Sequence, residues 1–377
     1  MGISGGDVVN KLRALLRALA MGRLDITFDK VQFRYHSLSW QRRRNWLLTE
    51  LSYIFRSPQA WAYPTHLQIE PASVCNLRCP VCHVVTDAGP KGLLNMEHYR
   101  KLLAEVGGHL LFLHFWGWGE PFLNNDSAAM IRMAREKGIR VISSTNGHFF
   151  ESADRVDALL DSDLDVLIFA LDGVDARTYE KYRREGDYSR ALDGLRHFLR
   201  RRADRRAQRP LLNLRMLVTR DNEAQVPAMR ALGRELGVDI VTLKTLCSFD
   251  RPDEGSQLVP CDPSYRRFHY DTSGRPIRIV NQCKKLWNHP TVYRDGRVVP
   301  CDYHTTMELE LGNAFAEGRS FADVWFGQGY RRLRSRFATR QLAGLRCGDC
   351  VMNYAGVERC VSHAFPVLNE PVVGNRS

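Results

Sequence analysis

Alternating strand and helix patterns between residues 65 and 246 mark an α/β protein built around a parallel sheet. Three observations carry that reading. Apolar strand patterns recur at His66–Glu70, Leu110–Phe115, Arg140–Ser144, Asp165–Leu171, Leu211–Thr219 and Asp239–Thr245. Helical patterns separate them at Met96–Val106, Ser127–Lys137, Asp154–Asp161, Ala176–Arg206 (interrupted near Gly186) and Val226–Leu236. Past residue 246 the alternation stops and cysteines punctuate the chain. Strand–helix–strand units of this kind take right-handed crossovers, so their strands run parallel.

The elements follow in order. Residues 7–24 place Leu12, Leu15, Leu16 and Leu19 on one face of a basic amphipathic helix. Docking of that face on the main domain is preferred; contact with a membrane surface or a partner stays open. Through Trp61 the segment reads as helical and aromatic, with Trp40, Trp46 and Phe55 available to pack and no strand pattern. Residues 1–64 are therefore a helical extension and 65–246 the strand–helix core. A linker at 247–282 holds the loop Arg251-Pro-Asp-Glu-Gly-Ser256. Residues 283–362 form a small cysteine-rich unit with a hairpin signal at Arg294-Asp-Gly-Arg297, and 363–377 a tail.

Bulk properties narrow the class. Hydrophobic residues make up 44% of the 377 and charged residues 25%, which suits a globular protein. No apolar stretch approaches the roughly 20 residues of a membrane span, and the N-terminus lacks a secretory signal. A cytoplasmic location is expected. Ten cysteines, clustered at ligand spacings, point to thiolates on metal and not to disulfides. The net charge of +12 concentrates in two arginine runs, Leu199–Arg209 and Tyr330–Arg336. The first run lacks interleaved aromatics, so a solvated helix face is preferred over a nucleic-acid footprint. An anionic substrate or an acidic carrier protein remains open.

The chemistry lies in the cysteines. Cys75, Cys79 and Cys82 sit at C-x3-C-x2-C spacing in Glu70-Pro-Ala-Ser-Val-Cys-Asn-Leu-Arg-Cys-Pro-Val-Cys-His83, directly after the first core strand. Three thiolates this close can hold three corners of a cubic [4Fe–4S] cluster and leave the fourth iron open. An open position is the mark of a reactive site, whereas a structural zinc site is closed by a fourth ligand. His83 would close a zinc set only awkwardly, one residue after Cys82.

At these residues the sequence resembles the radical S-adenosylmethionine (radical SAM) enzymes. The resemblance implies a partial (β/α)6 barrel with its chemistry at the C-terminal strand ends. It also implies that the open iron binds the amine and carboxylate of SAM, from which an electron releases a 5′-deoxyadenosyl radical. Val81 stands where the family usually carries an aromatic. Trp116-Gly-Trp-Gly-Glu-Pro121 resembles the family's Gly-Gly-Glu-Pro element and assigns Gly119 and Glu120 to the methionyl amino group. Ser143-Ser-Thr-Asn-Gly147 resembles its Thr-Asn-Gly turn, so Ser143, Ser144, Thr145 and Asn146 are candidates for the ribose or carboxylate; a plain Asn-Gly turn is the alternative. Ala170-Leu-Asp-Gly173 and the later Tyr182-Arg183 pair match a further element, in which Arg183 pairs with the SAM carboxylate. Asp172 serves the ribose or caps the next helix.

The second cysteine set resembles the SPASM/twitch extension. Cys283, Gly296 and Cys301 match its opening C-x9–15-G-x4-C, and Cys347-Gly-Asp-Cys350 follows. Gly356 replaces a cysteine of the full pattern and nothing follows Cys360. One auxiliary [4Fe–4S] cluster on Cys283, Cys301, Cys347 and Cys350 is expected, with Cys360 a competing fourth ligand and a zinc ribbon the alternative.

The resemblance implies hydrogen abstraction from a C–H bond of a small-molecule or peptide substrate, with oxidation through the auxiliary cluster. An external donor such as flavodoxin or ferredoxin would supply electrons. Asp302, next to Cys301, occupies the position of a catalytic base in some relatives. Cys247 and Cys261 could instead return a hydrogen atom in a redox-neutral epimerisation or rearrangement, although an inert buried cysteine is the blander role. A peptide maturase and a non-catalytic metal protein that binds nucleic acid complete the alternatives.

Overall fold

The computed structural model describes residues 17–86, 89–247, 256–273, 275–281, 283–303, 309–368 and 371–374. Near its start, β1 (Leu24–Phe28) and β2 (Val31–Tyr35) pair antiparallel. They are joined by Asp29 and Lys30, both left-handed at φ 49° and 66°. Two positive φ values in a two-residue loop match the twist of a hairpin. This corrects the expectation of helices alone through Trp61. Both five-residue strands do alternate in burial, but a turn without glycine or asparagine concealed them. Of the helix expected at 7–24, residues 17–21 are helical and 1–16 lie outside the described residues. The helix Trp40–Ile54 follows, capped by Ser39, whose hydroxyl accepts from the Arg42 N–H. Trp46 packs against the hairpin, whereas Trp40 and Phe55 remain exposed.

Six parallel strands come next: β3 (His66–Ile69), β4 (Phe112–Phe115), β5 (Arg140–Thr145), β6 (Val166–Ala170), β7 (Leu211–Val218) and β8 (Ile240–Thr245). They lie side by side in chain order, as expected of a partial barrel. Helices Met96–Val106, Ser127–Glu136, Ala153–Asp161, Ala176–Tyr182, Tyr188–Asp204 and Val226–Leu236 fill the connections. Gly186 falls in the break between the fourth and fifth of them, where the pattern was interrupted.

Strand alternation divides the core. Leu113, Val141, Leu167 and Phe169 face the helices, meeting Met130, Ile131, Leu159 and Leu195. Phe112, Ile142, Val166 and Ile168 face the other way, where Val31, Phe33 and Tyr35 of the hairpin cover them. The N-terminal hairpin thus plugs the inner face of the sheet and brings Asp29 under its C-terminal edge.

The C-terminal part extends both ends of that sheet. β9 (Thr291–Val292) runs parallel to β3, and β10 (Arg297–Val299) and β11 (Gly312–Asn313) continue antiparallel. β12 (Val361–Pro366) pairs antiparallel with β8, and β13 (Val372–Val373) runs parallel to β2. Residues expected as a tail therefore complete two sheets, because the edges of β8 and β2 present unpaired backbone groups. The expected linker also packs. Backbone bonds join His269 and Ile277 to Ala355, and Arg267 and Phe268 are buried.

The arginine run at 199–209 is largely spent in ion pairs, Arg201 and Arg205 with Asp157, Arg202 with Asp239 and Arg209 with Asp163. No helix among the described residues is long and apolar enough to cross a membrane.

Candidate active site

A cavity of about 480 Å³ opens at the C-terminal ends of the parallel strands. The loop after β3 brings Cys75, Cys79 and Cys82 to its wall. Burial pushes all three thiols up, Cys75 to about 12 and Cys82 to about 11. Each is also oriented. Cys75 Sγ accepts from the Leu77 N–H at 3.4 Å and the Asn146 amide at 3.8 Å. Arg183 Nη1 donates to Cys79 Sγ at 3.7 Å, and the Cys82 thiol meets the Trp118 carbonyl at 3.6 Å.

The turn after β4 lies directly on this loop. The Glu120 N–H donates to the Val74 carbonyl at 2.9 Å. A Cβ at Gly119 would stand 2.2 Å from the Ala72 carbonyl oxygen and 2.5 Å from that of Val74. Only glycine lets the two backbones approach this closely. Glu120 is buried and accepts from Phe122 N, Thr145 Oγ1 and Asn146 N at 3.3, 3.0 and 2.8 Å. It therefore ties the end of β4 to the end of β5, and burial raises its carboxyl to about 7.

At the end of β5, Ser144, Thr145 and Asn146 line the cavity. Ser143 does not. Its hydroxyl donates to the Phe115 carbonyl at 2.7 Å within the sheet, because alternate residues of a strand point to opposite faces. Gly147 takes φ 87°, and a Cβ there would collide with the Phe169 ring at 2.1 Å, so the Asn-Gly turn is sterically required.

Asp172 and Arg183 act as a pair. Asp172 accepts from Arg183 Nε and from Leu217 N, both at 2.6 Å, and is 1% exposed. It caps no helix; Asp175 does that for Ala176–Tyr182, accepting from Thr178 N at 2.8 Å. Burial opposes the Arg183 charge, but Asp172 and then Cys79 outweigh it, and the guanidinium stays protonated.

The later cysteines fall into two groups. Cys283, Cys301 and Cys347 are buried, and Cys350 reaches the cavity wall. After burial, which raises all four thiols, the influences on Cys347 are Cys350 and Cys283, and those on Cys301 include Cys283 and Cys350. Cys360 stands instead with Cys247 around Arg267 and Tyr303, on the same cavity. Cys261 is exposed and away from the cavity, its backbone N–H held by Glu223. It does not belong to this site. Asp302 is on the wall, accepting from Lys285 Nζ at 2.5 Å. Burial opposes the Lys285 charge, but Asp302 reverses that and holds the ammonium above the ordinary lysine range.

Among the described residues no three His, Cys, Asp or Glu side chains stand close enough to chelate a single metal ion. Residues 69–232 match the model of the radical SAM superfamily, and residues 283–351 match the SPASM iron–sulfur cluster-binding domain. The chain belongs to the radical SAM superfamily. It is 25% identical over 329 residues to a tungsten-containing aldehyde ferredoxin oxidoreductase cofactor-modifying protein of Pyrococcus furiosus, covering 77% of this chain and 88% of that one. It is 28% identical over 193 residues to an AdoMet-dependent heme synthase of Methanosarcina barkeri, covering 50% and 52%. The fold is similar to that of Streptococcus suis SuiB in a complex with the precursor peptide SuiA, with a TM-score of 0.56, 14% identity and coverage of 78% and 71%.

A radical SAM domain carries S-adenosylmethionine and a [4Fe–4S] cluster, and the SPASM domain adds auxiliary iron–sulfur chemistry. The donor set fits the first group. Three thiols, one buried and two half-buried, that are reluctant to ionise alone share one wall, and a metal deprotonates a coordinating thiol outright.

Sequence reasoning missed several residues of this wall. Asp29 pairs with Arg215 at 2.6 Å from the hairpin, and Lys285 and Arg267 join from beyond the barrel; behind the wall, Asn76 accepts from Asn146 Nδ2 at 2.8 Å. Only Asp29 had a local signal, its place between two alternating five-residue runs.

Proposed function

We propose that this radical SAM enzyme is an oxidoreductase that abstracts hydrogen from a C–H bond of its substrate. The observation that carries the proposal is the meeting, on one cavity, of the triad thiols, Arg183 and Glu120 with Asp302 and Cys350. When bound, the cluster and S-adenosylmethionine supply reductive cleavage of the sulfonium bond and hence hydrogen-atom abstraction.

The chain's own residues do the rest. Cys75, Cys79 and Cys82 hold the cluster. Arg183, oriented by Asp172, receives the SAM carboxylate. The Gly119–Glu120 backbone borders the methionyl amine, and Ser144, Thr145 and Asn146 border the carboxylate and ribose. Ser143 is set aside, its hydroxyl being committed to Phe115. Cys283, Cys301, Cys347 and Cys350 hold one auxiliary [4Fe–4S] cluster, a set that the separation of Cys360 favours. Asp302 would accept a proton from the substrate, and the cluster these four cysteines would hold would supply electron-acceptor chemistry. A flavodoxin- or ferredoxin-like donor supplies the reducing electron.

The relatives matched at 25% and 28% identity are named for tungsten-cofactor and heme chemistry, which supports a small organic substrate over a peptide. A second reading, redox-neutral hydrogen return, now rests on Cys247 alone, since Cys261 is off the cavity. Turnover in deuterated water separates the two: solvent deuterium at a stable product carbon favours Cys247.

The test is anaerobic. Reduced, reconstituted protein is expected to convert SAM to 5′-deoxyadenosine, Cys75→Ala to abolish this, and Cys283→Ala to retain uncoupled cleavage. Equal loss in both variants would sink the division of roles between the two cysteine sets.

A further inference from the structure

Arg267 is a cavity-wall residue that no step above has used. It is 3% exposed and lies beyond the barrel, between β8 and β9. Its Nη2 donates to Tyr303 Oη at 2.7 Å and to the Val357 carbonyl at 3.4 Å. Its Nε is buried and donates to nothing. Among the described residues, the side chains that act on it most are Cys360, Tyr303 and Cys247, none of them a carboxylate. Tyr303 leads on to Lys285, whose Nζ lies 4.9 Å from the tyrosine ring centroid, and Lys285 is already committed to Asp302. Among the described residues, Arg267 is therefore the buried cation of this wall without a carboxylate partner; Lys244, also on the wall, is exposed.

Removing a guanidinium from water without a counter-charge is costly, and an N–H left without an acceptor adds to the cost. A buried cation on a cavity wall regains a counter-charge when the cavity's occupant brings an anion. We propose that Arg267 anchors a carboxylate of the substrate. It does so on the wall that carries Asp302, Cys350 and Cys360, apart from Arg183, which the SAM carboxylate occupies.

The charge count selects a carboxylate over a phosphate. A single buried, uncompensated positive charge matches a monoanion, whereas a phosphate near neutral pH carries up to two negative charges and recruits several cations. Arg215, on the same cavity, already has Asp29 as its partner. A planar carboxylate also suits the planar guanidinium edge, with Tyr303 holding that plane in orientation. This inference rests on the radical SAM reading of the cavity.

The test uses reconstituted full-length protein with SAM under anaerobic conditions. Three probes are titrated by saturation-transfer NMR: 3-phenylpropionate, its neutral analogue 3-phenylpropionamide, and phenyl phosphate. Phenylpropionate is expected to bind about tenfold or more tighter than the amide, the worth of one charge-assisted bond. In Arg267→Gln the preference is expected to fall within about twofold, and in Arg267→Lys to lie between. Equal binding of acid and amide by the unmodified protein overturns the inference without recourse to any variant. Tighter binding of phenyl phosphate overturns the choice of carboxylate. Loss of the auxiliary cluster's iron in Arg267→Gln, with its spectral signature, would assign the guanidinium to that cluster and overturn the inference as well. SAM cleavage is measured on the same unmodified sample. If no 5′-deoxyadenosine forms, the function reading fails; if it forms but acid and amide bind alike, only the carboxylate anchor fails.

Discussion

Asp172→Asn separates two roles that look alike on paper, since a carboxylate beside a SAM site either touches the cofactor or positions a residue that does. Both oxygens of Asp172 are engaged, by Arg183 Nε and Leu217 N at 2.6 Å each. The asparagine carbonyl keeps the Leu217 bond, but its NH2 group then faces the guanidinium, donor against donor. Removing one partner of a buried ion pair costs about 3–5 kcal/mol. Arg183 retains 16% exposure in its side chain, so the lower end, about 3 kcal/mol, is expected without SAM.

Bound SAM changes the sign of the comparison. If its carboxylate meets Arg183, it supplies the counter-charge that the variant lacks. The variant is then destabilised in the absence of SAM, yet binds SAM at least as tightly as the unmodified protein, by up to about tenfold. Denaturant midpoints with and without SAM, together with equilibrium dialysis on anaerobically reconstituted protein, give both numbers. Unchanged stability with a tenfold or greater loss of SAM affinity would refute the argument, because Asp172 would then be contacting the cofactor directly.

Two further outcomes are expected. Cys350→Ala should retain about four irons per chain and Cys360→Ala about eight, if Cys360 stands outside the auxiliary set; matching losses by iron analysis would return Cys360 to it. Glu120, held near 7 by burial against an ordinary value near 4.5, keeps a proton in the folded state that the unfolded chain has lost. The contribution of this group to stability without SAM is therefore greatest below about pH 4.5 and is lost as pH rises toward 7, by about 3 kcal/mol. Glu120→Gln should flatten that fall, and an equally steep profile in the variant would show that the slope belongs to other groups, Glu70 among them.

The parts of this protein that were legible in its sequence are those governed by near neighbours. Strand and helix periods placed β3 to β8 to within about two residues, since apolar periodicity is local. Cysteine spacing located the triad because its three thiols fall within eight residues. Roles that depend on pairing at a distance were not legible. Asp172 reads as a helix cap until Leu217 and Arg183 are seen at its two oxygens, 45 and 11 residues away. Ser143 reads as a ligand contact until its strand register turns it toward Phe115. The hairpin escaped notice because Asp29-Lys30 lacks the glycine or asparagine that marks a tight hairpin turn, and its third strand, β13, comes from the far end of the chain. Arg267 is the extreme case. As one of many arginines it is unremarkable in sequence, and its significance lies in what does not face it, a property that only the folded wall defines. Charge counting on buried groups thus reaches past what spacing can show: motifs locate where cofactors sit, and an uncompensated buried cation points to the chemistry of the substrate.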